Sequence, residues 1–252
     1  MIPHHRMDGP PEAPPLLLIN SLGADLTMWE PQVPALSRRF RVIRYDARGH
    51  GRSPVPPGRY SLADLGGDAL DLLDHLGVAR AHVCGLSLGG MTAMWLAANA
   101  AERVDRLVLC CTSALLGPAS AWADRAATVL ASGTAAVADT VVARWVTPAF
   151  AALHPEETGR LRAMIAATPP AGYAGACAAI EEMDLRADLP RITAPTLVLA
   201  GADDPATPPA HAETIAAAIP GARLTVLERA AHLATYEQAR AVNRLILEAL
   251  DG

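Results

Sequence analysis

A basic excess is missing from this sequence. Lys and Arg number 21 against 26 Asp and Glu, a formal charge of −5 over 252 residues. No general positive field favours nucleic acid or an anionic membrane as partner, although a local cationic pocket is compatible with that balance. Long apolar runs are missing too: none approaches the roughly 20 residues that a membrane-spanning helix needs. The start, Met1-Ile2-Pro3-His4-His5-Arg6, lacks the apolar core of a signal peptide, so a cytoplasmic setting without a membrane partner is expected. Cysteine is scarce. Cys84, Cys110, Cys111 and Cys177 form no Cys-x-x-Cys pair and lie in no His-rich neighbourhood of zinc spacing. They read as reduced core residues, and no metal or cofactor is expected.

What is present is apolar and alternating. Hydrophobic residues make up 51% of the chain and charged ones 19%, enough to bury one large core. Short apolar runs bounded by turn residues at 16–20, 41–45, 81–84, 106–111, 196–200 and 223–227 read as strands. Helical stretches lie between several of them, at 61–76, 87–98, 211–219 and 237–250. In the first, Ser61 and Asp64 have capping-box spacing ahead of a stripe of Leu62, Leu65, Ala69, Leu72, Leu73 and Leu76. Strand and helix in alternation predict an α/β fold, a mostly parallel central sheet with helices on both faces.

The rhythm breaks over 114–190. This stretch is alanine-rich, offers helix-length segments at 119–132, 134–145 and 156–168, and contains no convincing strand. It reads as a helical cap inserted after the sixth strand, leaving 1–113 and 191–252 as the core. Such an insertion would sit over the strand carboxyl ends, where open α/β sheets bind ligands.

Chemistry is concentrated in Gly85-Leu86-Ser87-Leu88-Gly89. This Gly-x-Ser-x-Gly pentapeptide follows a strand and opens a helix, the setting of a nucleophile elbow, with Ser87 as nucleophile. A serine hydroxyl needs a base, usually a histidine oriented by a carboxylate. Of eight histidines, only His232 lies in a loop just past a late strand. His50 falls in a Gly-flanked turn, His75 and His211 on helices, His82 at a strand start, and His154 before a proline in the insertion. Two carboxylates compete for the third role, after the strand at 196–200. Asp204 is preferred to Asp203 because the turn after Gly201 should bring the residue before Pro205 inward. The oxyanion donors are expected to be the backbone N–H groups of Leu88, at a helix start, and of Leu22, in the loop Asn20-Ser21-Leu22-Gly23.

With these residues in place the chain resembles the 3-oxoadipate enol-lactonases, α/β-hydrolases of aromatic catabolism, over nearly its whole length. The resemblance runs through Asn20-Ser21-Leu22-Gly23 with Met28-Trp29, through Arg41 to Gly51, and through Cys84 to Met91. In the insertion it continues at Arg144-Trp145-Val146-Thr147-Pro148-Ala149-Phe150, Thr168-Pro169-Pro170-Ala171-Gly172-Tyr173 and Met183-Asp184-Leu185-Arg186. The elbow and the Asp-x-Arg-Gly-x-Gly turn are common to many α/β-hydrolases and speak for the fold. The Asn-Ser-Leu-Gly loop and the cap segments speak for the lactonase. The resemblance implies Ser87, Asp204 and His232 as triad, Leu22 and Leu88 as oxyanion donors, and hydrolysis of an enol-lactone through an acyl-enzyme. Such a substrate carries a carboxylate, and Arg125 near Trp122 and Arg144 beside Trp145 are the candidate anchors. Relatives usually carry an N-terminal hairpin, whereas here 2–7 suffice for one strand. A broad carboxylesterase, a cofactor-free perhydrolase and a non-catalytic ligand receptor are the rival functions, because pocket shape and acyl acceptor are not written in the triad.

Overall fold

The apolar runs become the strands of one sheet. In the computed structural model, which describes residues 1–251, these are β1 (His5–Asp8), β2 (Pro15–Ile19), β3 (Arg41–Tyr45), β4 (Ala81–Leu86), β5 (Val104–Cys110), β6 (Thr196–Gly201) and β7 (Arg223–Leu227). Their order across the sheet is β1-β3-β2-β4-β5-β6-β7. Every pairing is parallel except β1 with β3, where His5 faces Tyr45 and Asp8 faces Val42. The N-terminal segment thus supplies one antiparallel edge strand. All six residues of β4 are buried, the pattern of a strand covered on both faces, whereas β7 at the other edge is only partly covered, with Leu227 its one buried residue.

The helices are α1 (Val33–Leu36), α2 (Leu62–His75), α3 (Leu88–Asn99), α4 (Ala119–Ser132), α5 (Ala135–Trp145), α6 (Pro148–Leu153), α7 (Pro155–Ala167), α8 (Pro170–Glu182), α9 (Pro209–Ala218), α10 (Ala234–Glu237) and α11 (Ala239–Leu250). α2 begins where its cap dictates: the Asp64 N–H donates to Ser61 Oγ at 3.1 Å and the Ser61 N–H to Asp64 Oδ2 at 2.9 Å, which satisfies two otherwise orphaned donors. α4 to α8 lie between β5 and β6, with no strand among them, α4 packed on α8 and α5 on α7. No single helix among the described residues is long and apolar enough to cross a membrane.

Four helices escaped the sequence reading: the single turns α1 and α10, and α6 and α8 in the insertion. α8 is buried around most of its circumference, from Gly172 to Ile180, so it has no polar face to create a period. It lies so close to the loop after β3 that a Cβ on Gly172 would come within 2.0 Å of the Gly49 carbonyl oxygen. α6 is short, started by Thr147, whose hydroxyl accepts from the Phe150 N–H at 3.2 Å, with Pro148 at its first position. The helix expected at 237–250 is α11, which starts at Ala239 because Gln238 leaves helical geometry at φ −121° and ψ 38°; the short α10 precedes it.

Candidate active site

β4 delivers Ser87 at a sharp corner. Its φ of 56° and ψ of −117° lie outside the regions open to ordinary side chains, a strain that persists only where the surroundings over-determine it. They do so here through contacts on both sides: the Ser87 N–H donates to the Cys110 carbonyl at 3.0 Å, and the Thr112 hydroxyl donates to the Ser87 carbonyl at 2.7 Å. The flanking glycines are required by close approach. A Cβ on Gly85 would stand 2.2 Å from the Gly89 carbonyl oxygen, and one on Gly89 would stand 2.1 Å from that of Ile19. The Gly-x-Ser-x-Gly spacing is therefore what allows α3 to start directly against β2 and β4.

β6 and β7 end beside each other and carry the acid and the imidazole. His232 Nδ1 lies 2.8 Å from Asp204 Oδ2, with both residues buried. Asp204 also accepts from the backbone N–H groups of Ala206 and Thr207 at 2.7 and 3.0 Å and from the Thr207 hydroxyl at 2.8 Å. Burial works to raise the Asp204 carboxyl, but the adjoining imidazole and these donors outweigh it and hold the group below the usual carboxylate range. Asp203, the rival carboxylate, is exposed. Its backbone N–H donates to the Ala230 carbonyl at 2.9 Å, which ties the acid's turn to the histidine loop. The sequence reading missed Thr207; the signal was its position three residues after Asp204, the spacing of an Asx-type turn.

The loop after β2 is held by a set of side chains that explains why Asn20, Met28 and Trp29 occur together. Asn20 donates through Nδ2 to the Tyr45 carbonyl at 2.8 Å and accepts from Trp29 Nε1 at 2.9 Å. The Ser21 N–H meets Met28 Sδ at 3.3 Å, and the Gly23 N–H donates to His50 Nε2 at 3.0 Å. His50 donates in turn through Nδ1 to the Arg48 carbonyl at 3.0 Å, so its neutral form is required, and burial pushes its imidazole down. Placing His50 in a turn did not reveal this role, because its partner lies 27 residues away.

These strand ends open into one cavity of about 340 Å³ with Ser87, His232 and Leu22 along its wall. Leu88 occupies the first position of α3, and its side chain lines a separate small void beside Tyr45 and Asp68. The other wall comes from the helices between β5 and β6, where Trp122, Arg125, Arg144 and Trp145 all face the cavity. The Arg125 guanidinium lies 4.6 Å from the Trp122 ring centroid, a cation–π arrangement. Neither Arg125 nor Arg144 is paired with a carboxylate among the described residues. Tyr173 of α8, which the sequence reading did not assign to the site, also lines the cavity. Its buried hydroxyl lies near Arg125 without a well-formed hydrogen bond, and burial pushes the phenol up to about 12 while Arg125 opposes the rise.

The arrangement pairs a strained serine with a carboxylate-oriented imidazole at the base of a cavity that holds two unpaired guanidinium groups. Known proteins resemble the chain in sequence and fold. The sequence profile of the alpha/beta hydrolase fold matches residues 14–239. The chain is 40% identical over 238 residues to 3-oxoadipate enol-lactonase 2 of Acinetobacter baylyi, covering 94% of this chain and 89% of that one. Among solved structures, the enol-lactonase of Burkholderia xenovorans superimposes with a TM-score of 0.97 at 43% identity, covering 99% and 96% of the two chains. A hydrolase of Pseudomonas aeruginosa superimposes with a TM-score of 0.95 at 50% identity, covering 98% and 94%.

Proposed function

We propose, from the premise that this chain belongs to the α/β-hydrolase family and is an ester-hydrolysing enzyme of it, that its substrate is 3-oxoadipate enol-lactone, opened to 3-oxoadipate in the cytoplasm. The observation that carries the reading is the pair of unpaired arginines facing the same cavity as Ser87 and His232. A small lactone with a carboxylate has its reactive carbonyl and its charge a few ångströms apart, and this cavity offers a nucleophile at one wall and guanidinium groups at the other. The segment 114–190 then acts as a cap on a core formed by 1–113 and 191–252, and contributes specificity while the core contributes chemistry.

In this reading the Ser87 hydroxyl attacks the lactone carbonyl as His232 Nε2 takes its proton. Asp204, hydrogen-bonded to Nδ1, fixes the tautomer and steadies the imidazolium. The N–H groups of Leu22 and Leu88 receive the negative charge that develops on the carbonyl oxygen. Collapse breaks the ring C–O bond and leaves the acyl group on Ser87. The leaving oxygen is an enolate, so its departure needs less help from the imidazolium than an alkoxide would; as it ketonises it takes up the proton that His232 received from Ser87, which returns the imidazole to its neutral form. A water deprotonated by His232 then attacks the acyl-enzyme, and release of the Ser87 oxygen with a proton from His232 restores the enzyme.

The test is a spectrophotometric assay of the purified protein with freshly generated enol-lactone, run beside p-nitrophenyl esters and peroxide-dependent oxidation. Lactone turnover should exceed both alternatives, persist in EDTA, and fall by at least about 1,000-fold in Ser87→Ala. Near-normal activity of Ser87→Ala would overturn the mechanism, and faster turnover of neutral esters than of the lactone would overturn the substrate.

A further inference from the structure

His232 is tied to the segment that follows Arg144 directly on one side and through Glu237 on the other. The N–H of Leu233, the residue after it, donates to the carbonyl of Trp145 at 2.7 Å. The N–H of Ala231, the residue before it, donates to Glu237 Oε2 at 2.6 Å. The other oxygen of the same carboxylate, Oε1, accepts from the Thr147 N–H at 2.8 Å and from the Thr147 hydroxyl at 2.6 Å. Residues 145–147 form the C-terminal exit of α5, directly after Arg144, and both Arg144 and Trp145 face the cavity. One carboxylate thus joins the end of the helix that faces the substrate's charge to the loop that presents the imidazole. Thr147 and Glu237, which bond across this gap, are 90 residues apart in the chain.

The donors facing Glu237 demand two accepting oxygens. Every group it meets in this bridge is an N–H or O–H, so both of its oxygens must accept. A glutamine has one accepting oxygen and one donating amide. It would set an N–H against the N–H of Ala231 or of Thr147 and lose one arm of the bridge. Glu237 forms no ion pair among the described residues.

We propose that Glu237 is a positioning residue that fixes the distance between the guanidinium end of the cavity and the His232 imidazole, so that a substrate held by its carboxylate is presented to a base in register. The proposal rests on the reading of Ser87, His232 and the arginines given above. It also predicts that the bridge matters to chemistry even where no carboxylate is bound, because Ala231 and Leu233 flank the base itself.

The experiment compares wild type with Glu237→Gln and Thr147→Val in three measurements. These are the rate constant for Ser87 labelling by an uncharged fluorophosphonate, kcat and KM for the enol-lactone normalised to labelled sites, and the thermal midpoint. In Glu237→Gln the labelling rate and kcat should fall together by about 10- to 100-fold, with KM for the lactone raised, the scale expected when a reacting group is displaced by about an ångström. Thr147→Val keeps the backbone donor and loses the hydroxyl, so the same quantities should move the same way by roughly 3- to 10-fold. It also decides the matter should Glu237→Gln fail to fold. A lowered thermal midpoint with labelling and site-normalised kcat within about twofold of wild type would show a merely structural brace and overturn the proposal. So would a change in KM with the labelling rate untouched. Wild type that labels but does not turn over the lactone defeats the substrate reading alone, and the labelling comparison still judges Glu237.

Discussion

Arg125, half-buried, and Arg144, exposed, face the cavity with no carboxylate partner among the described residues, so both are open to an incoming anion. Each single substitution to Ala should raise KM for the lactone by roughly 10- to 100-fold, the range for losing a hydrogen bond to a charged group. KM for an uncharged p-nitrophenyl ester should be nearly unchanged, and a lactone KM that does not move in either variant would remove both residues from the site. At Gly89, substitution by Ala drives a methyl to 2.1 Å from the Ile19 carbonyl oxygen. Because backbone cannot yield there, Gly89→Ala should lose at least about 1–3 kcal/mol, seen as a lowered denaturation midpoint together with lost labelling of Ser87. Single residues differed in how far they could be read from the chain. Ser87 announces itself because its neighbours must be glycine for the corner to close. Asp204 could be preferred to Asp203 from the adjoining proline, and the structure brings Asp204 to His232 while Asp203 stays exposed. Thr207 carried a local signal that went unread, its place three residues after Asp204, whereas His50 and Glu237 act through partners distant in sequence and could not be read.

Elements follow from caps and stripes where one face meets water. α2 has both, and its start at Leu62 is set by the Ser61–Asp64 exchange. Ser61→Ala should cost about 1 kcal/mol, which for a chain of this size lowers the thermal midpoint by roughly 2–4 °C, with kcat unaffected. A midpoint equal to wild type would mean the cap is satisfied by other groups. Strand centres were legible because runs such as Leu16 to Ile19 are apolar without interruption and end at turn residues. α8 was not legible as a helix. Its alanines, glycines and Tyr173 are buried among neighbours on nearly all sides, and burial all round erases the 3.6-residue contrast on which a helix is recognised. The same burial places Tyr173 in the cavity, so the missed helix and the missed site residue have one cause.

At the scale of the whole molecule, the buried histidines link stability to pH. Burial pushes both His50 and His82 below the ordinary 6.5, against the pull of Asp25 on the first and Asp105 on the second. A histidine depressed in the folded state stays neutral where the unfolded chain binds a proton. Its contribution is therefore complete above pH 6.5 and is lost as pH falls through the folded value. Stability to denaturant should accordingly decline from pH 7.5 to pH 5.5, and His82→Gln, away from the cavity, should flatten that decline. A midpoint that is constant or rises over this interval would contradict the assignment. Asp204, held low, adds a further loss only below about pH 4, the ordinary carboxylate range. Asp46, raised by burial, acts in the opposite sense there.

The chain by itself determined the alternation of strand and helix, the corner at Ser87, and the order of serine, acid and histidine, because each is written in neighbouring residues: apolar period, glycine spacing, turn chemistry. Only the tertiary structure decided which carboxylate reaches the imidazole, that Tyr173 joins the arginines, and that Glu237 spans from the histidine loop to the exit of α5. Those relations depend on where segments far apart in sequence are packed against one another, and a hydrogen bond formed across such a gap leaves no local pattern in the amino acids on either side of it.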